Sequence, residues 1–181
     1  MQKRRVMLLT AVLVMAATVG CGSGRIFNEK IVISSYKELE IGSDSDDIEA
    51  EVWKTLLENC VVEEYPQEEL DALREELETQ YGYAAYYKGM TASELIEEKH
   101  GMTVVELAKE QLRKEYAIDL IAEKEGLTLS QEEYEQRLAE KAEESGIAEP
   151  KEYESMFGQG ELEQMFLEER VFDFLMESRK K

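Results

Sequence analysis

The sequence predicts an all-α fold, an elongated module of helical hairpins behind an export leader and a short tether. Three observations point to it. Beyond Asp47, apolar residues recur at intervals of three and four, the spacing of a helix face. Thr91-Ala92-Ser93-Glu94, Thr103-Val104-Val105-Glu106 and Ser130-Gln131-Glu132-Glu133 each fit the capping box, in which a hydroxyl accepts from an early backbone N–H and the Glu reaches back. Gly101, Gly126 and Gly146 follow helical runs, where a left-handed residue ends the helix.

In chain order, Lys3, Arg4 and Arg5 precede an apolar run from Val6 to Val19, the pattern of a signal peptide over residues 1–20. At ~1.5 Å rise per residue that run spans roughly 21 Å, short of the ~30 Å hydrocarbon core of a bilayer. Thr18-Val19-Gly20-Cys21 resembles the lipobox of bacterial lipoproteins, although Thr18 stands where Leu is usual. Small residues before the cysteine admit the signal peptidase, and the thiol receives a diacylglycerol. Cys21 is therefore the expected lipidation site, and the expected location is the extracytoplasmic face of the cell membrane, held by a lipid anchor. The alternative is an ordinary secretory signal that leaves Cys21 a spare thiol.

Residues 21–46 read as the lipidated cysteine and tether, with one extended segment signalled by the alternation at Ile31 and Ile33. Residues 47–181 read as one helical domain, with helices over 47–59, 66–88, 92–100, 104–125, 131–145, 150–157 and 161–178. Pro66 and Pro150 suit first-turn positions, where a missing N–H costs nothing.

Composition narrows the function. The chain has 41 acidic and 21 basic residues, a formal charge of −20. Such a surface repels phosphate backbones, so no nucleic-acid partner is expected. Removal of residues 1–20 leaves 18 basic residues against 41 acidic, a net −23. His100 is the only histidine, which leaves almost no material for a His-based metal site or a Ser-His-Asp triad. No metal, cofactor or catalytic residue is expected. Glu97-Glu98, Glu132-Glu133 and Glu168-Glu169 are adjacent carboxylates that diverge by about 100° on a helix and read as solvated faces. Cys60, with Cys21 lipidated, lacks a disulfide partner and reads as a small buried hydrophobe.

Two helices expose more apolar surface than one core stripe requires. Along residues 66–88, Leu70, Leu73, Leu77, Tyr81 and Ala84 share a sector about 80° wide, whereas Tyr83, Tyr86, Tyr87 and Met90 occupy another, centred well away from that stripe. Either a further helix covers this crown, or it is a surface for a partner, since aromatic and Met side chains adapt to varied apolar ligands. The helix from Val104 also changes sides, from Val104, Val105, Ala108 and Leu112 to Ala117, Ile118, Leu120 and Ile121, so different neighbours are expected at its two ends. Met156-Phe157 and Met165-Phe166 flank a Gly158-Gln159-Gly160 break; core packing is expected for each pair, and Met156 and Phe157 are the reserve candidates for contact with a partner.

Val52-Trp53-Lys54-Thr55-Leu56-Leu57-Glu58-Asn59, Tyr65-Pro66-Gln67-Glu68-Glu69-Leu70, the run from Leu120 to Tyr134, and Val171-Phe172-Asp173-Phe174-Leu175 together resemble the C-terminal domain of trigger factor, the bacterial folding chaperone. The match runs in order from about Ile48 to Ser178. The resemblance implies helical arms that hold unfolded segments by dispersed apolar contacts. Taken with the leader and Cys21, it leads to the expectation of a membrane-anchored, ATP-independent holdase for unfolded or nascent exported polypeptides. The family's ribosome-docking domain and its FKBP-like isomerase domain have no counterpart in this sequence; Tyr36-Lys37-Glu38-Leu39-Glu40 looks at most like the strand that opens the latter. No ribosome partner and no isomerase activity are expected. The alternative function is a structural or assembly lipoprotein that docks one envelope protein.

Overall fold

A computed structural model describes residues 26–27, 30–42 and 47–180. The expected leader over 1–20, the lipidation site Cys21 and the Gly22-Ser23-Gly24 stretch lie outside the described residues. Within them are seven helices: α1 (Ile48–Glu58), α2 (Gln67–Lys88), α3 (Ala92–His100), α4 (Val104–Glu125), α5 (Gln131–Glu144), α6 (Pro150–Phe157) and α7 (Gln159–Ser178).

Local chemistry sets these bounds. Thr91, Thr103 and Ser130 each accept from the backbone N–H three residues on, and Glu94, Glu106 and Glu133 each return the bond, so all three capping boxes form. Pro150 takes the first turn of α6, whereas Pro66 is the N-cap of α2 rather than its first helical residue. Three helix ends share one construction. The amides of Met90, Leu127 and Ile147 donate to the carbonyls of Ala85, Ala122 and Ala142 at 3.0, 2.8 and 2.8 Å, across Gly89, Gly126 and Gly146 in the left-handed region. This is the Schellman motif, written as Ala-x-x-x-Gly followed by an apolar residue; the glycine adopts the positive φ, and each alanine is at least 98% buried.

A small sheet, which the helical pattern does not announce, closes one side. Strands β1 (Ile26–Phe27), β2 (Ile31–Ile33) and β3 (Cys60–Val62) lie in that order, antiparallel, with Ile33 opposite Cys60 and Ile31 opposite Val62. Part of the stretch expected as tether therefore belongs to the folded body. Period-2 alternation turns Ile31 and Ile33 to one face, and both are fully buried; Tyr36 and Leu39 just beyond are buried as well. Tyr36-Lys37-Glu38-Leu39-Glu40 forms no strand. It runs along the end of α7, where Glu38 N–H donates to Ser178 O at 2.9 Å and Lys180 N–H to Leu39 O at 3.2 Å.

The buried side chains form two clusters. The larger, the body, joins β2, β3, α1 to α4 and the second half of α7 around Leu56, Ile118, Ile121 and Leu175. The smaller, the arm, is built from α5, α6 and the first half of α7: Tyr134, Leu138, Ala142, Tyr153, Leu162 and Phe166. α4 packs against α1, α2, α3, α7 and the sheet, which accounts for its apolar face changing sides. On α2, Leu70 and Leu77 are buried as expected, but Ala84 is exposed and Ala85 is buried instead. α3 folds back on the last turns of α2, so the covered face rotates toward Ala85 at that end.

Candidate functional site

The crown occupies the last two turns of α2. The side chains of Tyr83, Tyr86 and Tyr87 are 73%, 78% and 71% exposed, although spacings of three and four place them on one side of the helix. No helix among the described residues covers them. The rings meet edge to face, with centroids 4.9 Å apart for Tyr83 and Tyr87 and 5.7 Å for Tyr86 and Tyr87. The Tyr83 and Tyr87 hydroxyls are 3.1 Å apart. That hydrogen bond, with a smaller effect of burial, raises the Tyr83 pKa and keeps its phenol neutral.

The platform under the rings is well tied. Behind them, Met90 and Gly89 close α2 through the Schellman bonds to Ala85 and Tyr86, and the Thr91 box starts α3 two residues later. Leu95 and Ile96 anchor α3 in the interior. Lys88 pairs with Glu98 at 2.9 Å across the hairpin, and the Tyr81 hydroxyl lies 2.6 Å from His100 Nε2 with the rings edge to face. Met90, grouped with the tyrosines from sequence, is half-buried and serves the turn as much as the surface.

The reserve candidates sit elsewhere. Met156 and Phe157, 65% and 45% exposed, end α6 on the arm, where Phe157 leans on Tyr153 with centroids 4.8 Å apart. Core packing, expected for this pair, is not what the structure shows: Gly158, at φ 90°, turns the chain into α7 before the two side chains reach the interior. In the second pair Phe166 is fully buried and Met165 half-buried. The three tyrosines thus form one contiguous surface on the body, and Met156 with Phe157 a separate one on the arm. Sequence reasoning missed Val61, 61% exposed on β3; the signal was its place between buried Cys60 and half-buried Val62 in a three-residue strand.

In each adjacent carboxylate pair at least one member is engaged structurally. Glu98 pairs with Lys88, Glu133 caps α5 and meets Arg170 at 2.9 Å, Glu168 meets Lys114 at 2.5 Å, and Glu169 is shared by Arg137 and Lys141 at 3.0 and 2.9 Å. Cys60 is buried, and its thiol donates to Leu56 O at 3.1 Å. Burial, rather than its acidic neighbours, pushes that thiol up to about 12, with Arg113 opposing. Among the described residues no group of three or more His, Cys, Asp or Glu is placed to hold a metal ion. No helix among them is long and apolar enough to cross a membrane. What this surface offers is reversible apolar contact on a rigid hairpin.

The family model described as bacterial trigger factor protein (TF) C-terminus matches residues 36–177. No curated protein and no solved structure matches the chain. The family match begins at Tyr36, inside the stretch first read as tether, in keeping with the burial of Tyr36 and Leu39 in the body.

Proposed function

Since the chain belongs to the bacterial trigger factor C-terminus family, we propose that it is an ATP-independent holdase for unfolded or nascent exported polypeptides, carried at the extracytoplasmic face of the cell membrane by lipid on Cys21. The observation that carries this is the crown: three tyrosines on a capped hairpin, each more than 70% exposed. Apolar area is worth about 25 cal/mol per Å² once removed from water, so an exposed ring gains on meeting an apolar segment. Single contacts of that kind are weak and release readily. Contacts at the crown and at Met156 and Phe157 engaged by the same chain would add through effective concentration. The net charge of −23 left after removal of residues 1–20 keeps such a surface from self-association. The grip is a binding equilibrium and calls for no nucleotide, metal or catalytic residue.

The test is suppression of aggregation of a chemically denatured client, with Tyr83→Ser, Tyr86→Ser and Tyr87→Ser combined in one variant. The reading requires suppression by the native chain and a loss of it in the variant at unchanged helicity. A single stoichiometric partner in crosslinks from the crown, in place of many unrelated chains, would favour the docking lipoprotein instead. Anchoring is tested separately: Cys21→Ser should move the chain from the membrane fraction to the soluble one.

A further inference from the structure

The small sheet has an apolar outer side. Ile31, Ile33 and Cys60 turn inward and are buried in the body core. Val32 and Val61 stand opposite each other in the β2–β3 register, so their side chains share the other face, where Val32 is half-buried and Val61 is 61% exposed. On the far side of β2, the register places Phe27 of β1 opposite the same Val32. This face stands where the folded body begins. Only residues 22–25 separate Cys21 from Ile26, the first residue of β1, a span of at most about 18 Å when fully extended. Val61 lies two strands over from Phe27, about 10 Å at the ~4.8 Å spacing of paired strands.

We propose that the outer face of this sheet is the membrane-facing side of the protein, and that Val61 and Val32 rest against the bilayer that holds the lipid on Cys21. The inference rests on the anchoring reading and adds to it an orientation. The occupant follows from the length of chain before β1. Effective concentration rises as a linker shortens to match the span it bridges, so a four-residue tether makes even a weak apolar contact with the headgroup region intramolecular. A second copy of the chain is the poorer occupant, because each chain carries a net −23 once residues 1–20 are removed. Glu63 and Glu64, both exposed, follow Val61, so the contact suits zwitterionic headgroups and weakens on anionic ones. Seating by the sheet leaves the crown free. α2 starts beside the sheet, where Lys30 meets Glu69 at 2.6 Å, and carries Tyr83 about 21 Å further along its axis.

Val61→Cys and Ala84→Cys, the second at an exposed site on α2, are introduced separately into the full chain. A charged, membrane-impermeant maleimide is applied to the membrane-bound protein and to the same variants carrying Cys21→Ser; buried Cys60 is common to all. Anchoring should slow labelling at residue 61 on the order of tenfold and leave residue 84 unchanged. Equal rates at residue 61 with and without the anchor overturn the inference, as does equal slowing at both positions. Slow labelling at residue 61 that persists in the Cys21→Ser chain assigns the face to protein association and overturns it too. The anchoring reading fails separately, when the native chain is not recovered with the membrane. The sheet face is then tested alone, with the Cys21 thiol of the leaderless chain coupled to maleimide lipid in phosphatidylcholine vesicles bearing brominated acyl chains. Val61→Trp and Ala84→Trp are the probes, with buried Trp53 as their common background. Quenching at residue 61 and not at residue 84 supports the lipid-facing sheet, and its absence overturns it.

Discussion

Phe166 and Leu167, neighbours on α7, pack into different cores: Phe166 is fully buried in the arm, and Leu167 lies against the body. One helix is therefore the mechanical link between two apolar clusters, and each cluster has its own stability. Phe166→Ala should cost the arm about 3–5 kcal/mol, the range for a buried Phe cut to Ala. Hydrogen exchange checks it: α5 and α6 should lose protection while α2 and α4 keep theirs. Uniform loss across all helices would mean the two clusters unfold as one.

Gly89 holds φ at +70°, and a Cβ built there would meet nothing within 4 Å. Only backbone conformation opposes a side chain, so Gly89→Ala should destabilise by roughly 1–2 kcal/mol, the cost of the left-handed region for an L-residue. The change would loosen the turn directly behind the tyrosines. A lower thermal midpoint with retained folding is the expected result, and an unchanged midpoint would show that the turn is not held as the geometry indicates.

Glu133 supplies a pH signature. Its carboxylate accepts from the Ser130 backbone N–H, then from the Ser130 hydroxyl and Arg170, and its pKa falls to about 2. A depressed folded-state pKa means the contribution is fully present above the unfolded value of ~4.3 and is lost as pH falls through the folded one. The stability difference between the native chain and Glu133→Ala should thus be constant near neutrality and shrink between about pH 4.3 and 2. Melting curves of both proteins across that window measure it. A difference that holds its size at the acid end would detach the effect from ionisation.

Burial of Cys60 makes a chemical prediction. With the thiol pushed up to about 12, almost no thiolate exists at pH 8, and its sulfur is inside the body core. In a chain carrying Cys21→Ser, iodoacetamide should label Cys60 slowly in the native state and rapidly in denaturant. Rapid native labelling would place the thiol at the surface.

How much of this was legible from sequence depends on how far apart the cooperating residues lie. The helices were legible because their signals are local: Thr103 and Glu106 cap a helix within four residues, and Ala122, Gly126 and Leu127 end it within six. The sheet was legible only in part: alternation at Ile31 and Ile33 marked one extended segment, but its partner Cys60 lies across a whole helix and nothing local joins the two. The same distance hid the role of Tyr36, whose hydroxyl donates to Glu125 at the end of α4. The crown was legible as a change of apolar sector on one helix, but its exposure was not, since the neighbour of α2 switches from α4 to α3 along its length.

The tyrosine crown can be removed without removing the fold, and the energetics say why. Tyr83, Tyr86 and Tyr87 remain more than 70% exposed, so replacing them forfeits little buried area. What they give to stability is two mutual edge contacts and one exposed hydrogen bond, all open to water. Leu77, 1% exposed on the same helix, would by contrast cost about 2–5 kcal/mol on change to Ala. The triple Tyr→Ser variant should therefore unfold close to the native chain, while Leu77→Ala falls well below it. If the surface acts as proposed, the order reverses for client protection: the triple variant should protect poorly although stable, and Leu77→Ala should protect in proportion to the fraction folded. Denaturant curves and aggregation assays on the two proteins resolve these orders. Matching orders in both measurements would leave the tyrosines with no role beyond the fold.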